Sequence, residues 1–250
     1  MEKVTKHLFL QIMTQRLNKE GKEVRFQFLS VLSHELKSPL NAVEGYLKIM
    51  QERQAGDKIS DYDQILERSL QRINGMRTLI MDLLDLTKIQ SDEKEKQFEN
   101  VNLLDVTKSA IETVSPYAIQ KDVDINLHAD EAIYFHADPN DMEIVLNNLI
   151  SNAVKYNYKE GKVDVYLQKD ADQIEIKVAD TGIGMNQEDT AKLFNEFVRI
   201  KNEKTKNITG SGLGLSIVKK VIDLYKGNIF VDSEPDRGST FTVILPIDNQ

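Results

Sequence analysis

The sequence predicts a multidomain chain of the α and α+β class: a helical hairpin that pairs with a second copy into a dimeric four-helix bundle, then a domain built on a mixed sheet with helices on one face. Three observations carry this expectation. Apolar residues recur in alternating steps of three and four along two successive segments, the mark of helices that share a seam. A charged run at residues 91–97, Ser-Asp-Glu-Lys-Glu-Lys-Gln, then breaks the pattern without one apolar residue and reads as a linker between domains. Beyond it, segments with strand alternation are interspersed with helical ones.

Residues 1–52 are rich in helix formers and hold no proline before Pro39, so they read as one long helix with Asn18–Gly21 as the place for an interruption. Leu29, Leu32, Leu36, Pro39 or Leu40, Val43, Tyr46 or Leu47, and Met50 form its seam. With Leu29 at heptad position a and Leu32 at d, His34 falls at f, away from the seam. Glu35 beside it can accept the proton on Nδ1 and leave Nε2 nucleophilic. Taken alone, an exposed helical histidine is more often an ordinary solvated residue. Gln51–Ser60, with Gly56 and Asp57, reads as a turn. Ile59, Tyr62, Leu66, Ser69 or Leu70, Ile73, Met76, Ile80, Leu83 and Thr87 then repeat the three-four spacing in a second helix. An isolated hairpin buries too little area to be stable, so a second copy completes a four-helix bundle; the alternative is packing on the hairpin's own downstream domain.

After the linker, a helix is expected from Leu103 to about Gln120, then short strands at Val123–His128 and Ala132–His136. Asp138 as N-cap and Pro139 in the first turn open a helix that runs to about Tyr156. Alternating strands follow at Lys162–Gln168 and Gln173–Ala179, then a loop-rich region, a helix at about Gly212–Tyr225, and strands at Asn228–Asp232 and Ser239–Leu245.

Composition narrows the function. The 250 residues suffice for one or two domains. No apolar run approaches the roughly 20 residues that cross a bilayer, and Met-Glu-Lys-Val-Thr-Lys-His at the start leads into a mixed amphipathic stretch, not a signal-peptide core. A soluble, cytoplasmic segment is expected. Without cysteine there are no disulfides and no thiolate metal sites. A formal net charge of −8 argues against nucleic acid as a partner, so any phosphate must be bound at a local site.

Three runs supply such a site. Asn148, Asn152 and Lys155 are spaced by four and three on the Asp138–Tyr156 helix and share one face. An amide oxygen can enter the octahedral shell of Mg²⁺, and the lysine can pair with phosphate oxygens. The plain alternative is a polar solvent face, but the adjoining Leu146, Leu149, Ile150, Ala153 and Val154 make the helix largely buried. Asp180-Thr181-Gly182-Ile183-Gly184 follows a strand directly; its glycines let the backbone approach a ligand, and its carboxylate can accept a hydrogen bond from an exocyclic amine. Alone, this run is also a plain strand-ending turn. Gly210-Ser211-Gly212-Leu213-Gly214-Leu215 opens a helix and presents free N–H groups to an anion. It lacks the Gly-Lys-Ser/Thr ending of a Walker loop, and it follows a polar loop where a dinucleotide fingerprint requires a strand.

Residues 32–40, Leu-Ser-His-Glu-Leu-Lys-Ser-Pro-Leu, resemble the H-box of the sensor histidine kinases of two-component systems, S-H-E-[LI]-[RK]-[TS]-P-L. Lys37 and Ser38 stand where Arg and Thr are commoner. The three downstream runs, in this order and spacing, resemble the N, G1 and G2 boxes of the ATP-binding domain of those kinases, a superfamily shared with gyrase-type ATPases, Hsp90 and MutL. Phe194-Asn195-Glu196-Phe197 matches the F box, and the likeness spans nearly all of residues 25–247.

The resemblance implies an incoming signalling helix over 1–24, a dimerisation and phosphoacceptor hairpin over 25–92, and a Bergerat-type α/β sandwich over 98–250. His34 would be the residue phosphorylated, Glu35 its acid/base partner and Pro39 a kink. Asn152 would ligate Mg²⁺, Asn148 would support the phosphate side, Lys155 would contact phosphate, Tyr156 would border the nucleotide and Asp180 would bind the adenine amine. Gly182, Gly184, Gly210, Gly212, Leu213 and Gly214 would shape the loops around ATP. Arg199 would reach the phosphates, and Val198–Thr209, with Lys201, Lys204 and Lys206, reads as a lid.

The activity so implied is ATP-dependent autophosphorylation of His34 in a homodimer, then transfer to an aspartate of a response-regulator receiver domain. Ser38, one turn after His34, carries a hydroxyl suited to dephosphorylating that regulator. Two readings compete: a gyrase/Hsp90-type ATPase without histidine phosphotransfer, which needs no acceptor histidine, and a non-catalytic dimeric scaffold, which would be expected to lack one of the N, G1 or G2 runs. The signal sensed is not written in these residues, and the resemblance leaves room for a sensor or membrane region upstream.

Overall fold

The computed structural model describes residues 30–90, 96–200, 202–206, 208 and 210–247, and its two compact units divide between Arg77 and Thr78. The expected signalling helix over 1–24, Leu29 of the seam, residues 91–95 of the linker, and Lys201 and Thr209 of the lid lie outside the described residues.

In the first unit, helix α1 spans 30–51 and continues through Pro39, although proline removes the backbone hydrogen bond to residue 35 and crowds the turn before it. Leu32 is buried, and Leu36, Pro39, Val43, Tyr46 and Met50 are half-buried. At the two ambiguous seam positions Pro39 and Tyr46 turn inward, while Leu40 and Leu47 stay 57% and 56% exposed. The chain reverses over residues 52–58. There the Tyr62 hydroxyl donates to the Gly56 carbonyl at 2.6 Å, and the Asp61 carboxylate accepts from the Lys58 N–H at 3.0 Å. The turn is shorter than expected because Ile59–Tyr62 already forms a 3-10 turn, which leads into helix α2 (Asp63–Gln90); the residues of α2 from Thr78 onward belong to the second unit.

From the 3-10 turn along α2 the buried stripe follows the spacing only in part. Tyr62 and Ser69 are buried and Met76 and Leu83 half-buried, as expected, whereas Ile59, Leu66, Leu70, Ile73, Ile80 and Thr87 are exposed and Leu79 and Leu86 are buried instead. Adjacent helical positions lie about 100° apart, and Leu79-Ile80 offers an apolar residue at both. Spacing alone does not choose between such neighbours; packing does, and it leaves a second apolar flank facing out. No described helix is long and apolar enough to cross a membrane.

In the second unit, β1 (Glu99–Asn102) and β3 (Tyr134–Ala137) form a two-stranded antiparallel sheet; β1 was not expected from the sequence. Helix α3 (Leu103–Lys121) begins at Asn102, whose side chain accepts from the Leu104 N–H, and ends at Asp122 in the left-handed region. Strand β2 (Asp124–His128) runs parallel to β4 (Lys162–Lys169). With β5 (Gln173–Asp180), β6 (Asn228–Glu234) and β7 (Gly238–Pro246), all antiparallel, they make a five-stranded mixed sheet of order β2-β4-β5-β7-β6. Helix α4 (Pro139–Lys155) is capped by Asp138, as expected, and α6 (Gly214–Leu224) follows the third glycine-bearing run. A four-residue helix, α5 (Gln187–Thr190), lies between β5 and α6, inside the stretch whose sequence is loop-rich. Val163, Val165, Ile174, Ile176, Val178, Val243 and Leu245 alternate along the strands and are fully buried, sharing one core with Leu146, Leu149 and Ile150 of α4 and Val218 and Ile222 of α6. One face of the sheet is thus covered by helices, as an α/β sandwich requires.

The segment entering this unit is held by buried polar groups. Lys96 pairs with Asp141 at 2.5 Å, with only 6% and 7% of the two side chains exposed. The Tyr225 hydroxyl donates to Asp141 at 2.7 Å and accepts from the Asp138 N–H at 3.0 Å. The first turn of α4, the C-terminal end of α6 and the end of the linker therefore share one network. Lys96, read as part of a solvated run, is a structural ion-pair partner.

Candidate functional site

A cleft of about 180 Å³ in the second unit is lined by Asn148, Asn152, Lys155, Tyr156, Asp180, Gly184, Arg199, Gly210, Gly212 and Gly214, so the three runs and the arginine after the F-box match converge on one place. Gly182 and Leu213 do not line it. Gly182 donates its N–H to Asp180 Oδ1 at 2.8 Å, and Leu213 is fully buried at the start of α6; both support the loops from behind. His34, Glu35 and Ser38 lie on α1, in the first unit.

One end of the cleft is built for anions. Helix α4 buries Met142, Val145, Leu146, Leu149, Ile150, Ala153 and Val154, which leaves the Asn148, Asn152 and Lys155 stripe half-buried at the cleft. Asn148 Nδ2 donates to the Ile144 carbonyl of its own helix at 2.8 Å. The Asn152 side chain has no hydrogen-bond partner among the described residues, so its amide is available to a ligand. The glycine run lies directly over this stripe: a Cβ on Gly214 would come within 2.3 Å of Asn148 Oδ1, and one on Gly210 within 2.6 Å of Lys155 Nζ. Helix α6 has no side-chain N-cap, which leaves its terminal N–H groups and positive dipole end toward the cleft. Burial lowers the Lys155 ammonium to about 8, with Arg199 and Lys121 adding to the effect and Asp82 opposing it.

The other end carries Asp180. Its Oδ1 accepts from the N–H groups of Gly182, at 2.8 Å, and Ser239, at 3.3 Å. Burial raises this carboxyl to about 6, against the lowering effect of those two donors and of Lys121. Ile183, Met185, Leu193 and Phe241 supply apolar wall, suited to a flat heterocycle beside a single polar anchor. Gly184 has φ +59, and a Cβ there would meet the Glu234 carbonyl at 1.9 Å, so only glycine fits where the loop crosses the β6–β7 turn.

Several lining residues escaped the sequence reading. Ser239 and Phe241 alternate on β7, where Ser239 pairs in register with Asp180; the alternation was legible, the pairing was not. Thr205 in the lid and Thr78 and Asp82 on α2 carry no local signal, yet all three line the cleft. No group of three or more His, Cys, Asp or Glu suited to a metal occurs among the described residues. The donor set fits a hard cation held by one amide oxygen and a ligand's own phosphates.

On α1, His34 is 81% exposed and its Nδ1 faces Glu35 Oε1 at 3.6 Å, longer than a direct hydrogen bond. Ser38 follows one turn later and is exposed.

The family model described as the His Kinase A (phospho-acceptor) domain matches residues 24–92, and that of the Histidine kinase-, DNA gyrase B-, and HSP90-like ATPase matches residues 137–249. The chain is 32% identical over 233 residues to the Non-motile and phage-resistance protein of Caulobacter vibrioides, covering 90% of this chain and 27% of that protein. It is 29% identical over 240 residues to the Sensor histidine kinase RcsC of Escherichia coli, covering 95% of this chain and 25% of RcsC. The chain thus spans about a quarter of the length of the curated relatives it matches. The fold is similar to that of histidine kinase ThkA, solved in complex with response regulator protein TrrA, with a TM-score of 0.70 and 21% identity over 88% of this chain and 61% of ThkA.

Proposed function

Because this chain belongs to the sensor histidine kinases, we propose that its second unit binds ATP with Mg²⁺ and that the γ-phosphoryl passes to His34 and from there to an aspartate of a response regulator. The observation that carries this reading is the convergence of Asn152, Lys155, Asp180 and the Gly210–Gly214 loop on one cleft. Asp180 accepts the adenine amine; Lys155, Arg199 and the N–H groups at the start of α6 take the phosphates; the Asn152 amide oxygen is the protein's ligand to Mg²⁺. The ion, when bound, offsets charge on the transferring phosphoryl group.

In the first step the lone pair of His34 Nε2 forms a bond to the γ-phosphorus while the bond from that phosphorus to the β–γ bridging oxygen breaks, and ADP leaves. Glu35 interacts with the Nδ1 side of the ring and favours the imidazolium that develops. In the second step the phosphorus–nitrogen bond breaks as a regulator carboxylate takes the phosphoryl group. The exposure of His34 supports access for both partners, and an acceptor histidine on an exposed face is what an ATPase without phosphotransfer would not need. Ser38 orients water for hydrolysis of the regulator's acyl phosphate. We take residues 25–92 as the dimerising phosphoacceptor hairpin and 98–250 as the ATP-binding domain, in the cytoplasmic portion of a longer sensor.

The test is incubation of parent and His34→Gln with labelled ATP and Mg²⁺. The parent should acquire acid-labile, base-stable phosphate, and His34→Gln should bind ATP as the parent does yet remain unlabelled. Labelling of the variant at the parental rate removes His34 from the mechanism.

A further inference from the structure

Helix α2 contributes Thr78 and, one turn later, Asp82 to the wall of the cleft. The Asp82 carboxylate accepts a hydrogen bond from Ser211 Oγ, the hydroxyl that also accepts from the Leu213 N–H at 3.0 Å. Asp82 therefore sits at the uncapped start of α6, where the positive end of the helix favours an anion. It also interacts with Lys155, the cation of the same end, while Asp85 repels it from the next turn of α2. Burial raises the Asp82 carboxyl above its ordinary value, so the carboxylate is held there against a desolvation cost. The cleft it helps to wall, about 180 Å³, is smaller than the roughly 300–1,000 Å³ of sites that enclose ligands of this size.

We propose that Asp82 is a built-in competitor for the phosphates of the nucleotide: ATP enters the anion end only as the Asp82–Ser211 hydrogen bond breaks. The inference rests on the reading of the cleft as the ATP site. A carboxylate and a triphosphate drawn to one ammonium and to the positive end of one helix repel each other, so they occupy the end in turn. The cost of displacing Asp82 is subtracted from nucleotide affinity. It falls on the phosphates alone, because Asp180 anchors the opposite end.

The experiment is calorimetric titration of the full chain with ATP, ADP and adenosine at low salt. Asp82→Asn keeps the shape and removes the charge. It should tighten ATP and ADP about five- to tenfold, the size expected for relieving one like-charge contact at an effective dielectric between protein and water, and leave adenosine unchanged. Asp82→Ala, which removes the acceptor altogether, should move ATP in the same direction. Asp85→Asn should leave all three at parental values. Unchanged or weaker ATP binding in both Asp82 variants overturns the inference while leaving the ATP site standing. A gain shared by adenosine, or reproduced by Asp85→Asn, also overturns it by showing a change of the whole cleft or of net charge. A parent that binds none of the three defeats the inference and the ATP-site reading together.

Discussion

Asp180 and Lys155 stand at opposite ends of the cleft with ionisation shifted in opposite senses. Burial puts the Asp180 carboxyl at about 6, against 3.8 for the free side chain. Between about pH 4 and 6 the folded protein holds a proton that the unfolded chain has released, so stability falls as pH rises through that window, by about 3 kcal/mol for a shift of this size. Asp180→Asn removes the cost. Its thermal midpoint should exceed the parent's above pH 6, and the difference should shrink toward pH 4. The same ionisation creates the acceptor for an exocyclic amine, so adenosine affinity should rise through about pH 6 in the parent and lose that dependence in the variant. Lys155, lowered from 10.5 to about 8, is charged at neutral pH and loses its proton earlier than in the unfolded chain. ATP affinity should therefore decline above about pH 8 while adenosine affinity does not, and Lys155→Met should flatten that limb. Titrations with the two ligands across pH 5–9 separate the effects.

At the scale of elements, the cleft depends on how closely α6 approaches α4. Gly214 is the first residue of α6, where alanine gains less than the roughly 1 kcal/mol it holds over glycine in a helix interior, so Gly214→Ala should leave helix stability about unchanged. Its Cβ would nevertheless meet Asn148 Oδ1 at 2.3 Å, and ATP affinity should fall at least tenfold as the loop is pushed off the stripe. Circular dichroism and calorimetry on the same variant would read the two effects apart. The entry to α4 depends instead on the Lys96–Asp141–Tyr225 network. Lys96→Met strands a buried carboxylate and should cost about 3–5 kcal/mol in urea unfolding, with a smaller loss when Asp141→Asn is added. The α4 N-cap, the helix spans and most strands were legible because Asp138 and the apolar alternation act locally; the Asn102 cap of α3 came from the structure. Lys96 was not, since a charge run looks solvated until its partner, 45 residues away, is in place.

For the whole molecule, the first unit leaves Leu40, Leu47, Leu66, Leu70 and Ile73 exposed on its two helices, more apolar surface than a hairpin of this size keeps in water without a partner. Light scattering should give twice 28.6 kDa at micromolar concentration. Leu66→Glu with Leu70→Glu should shift the mass toward the single-chain value, whereas Lys48→Glu, a charge change at an exposed position, should not.

The residues by themselves determined the two amphipathic helices, the order of the strands and helices after the linker apart from β1 and α5, the exposed His34 and the three runs that meet at the cleft. Each of these rests on periodicity, capping or backbone permissiveness that operates within a few residues. The tertiary structure alone decided which flank of α2 turns inward, that Lys96 is buried, that Gly182 and Leu213 support the cleft from behind while Ser239 and Phe241 line it, and that Asp82 reaches Ser211 across 129 residues of chain. Those outcomes depend on which groups burial brings together. Local spacing offers equivalent choices at each such position, and only packing against distant partners removes all but one.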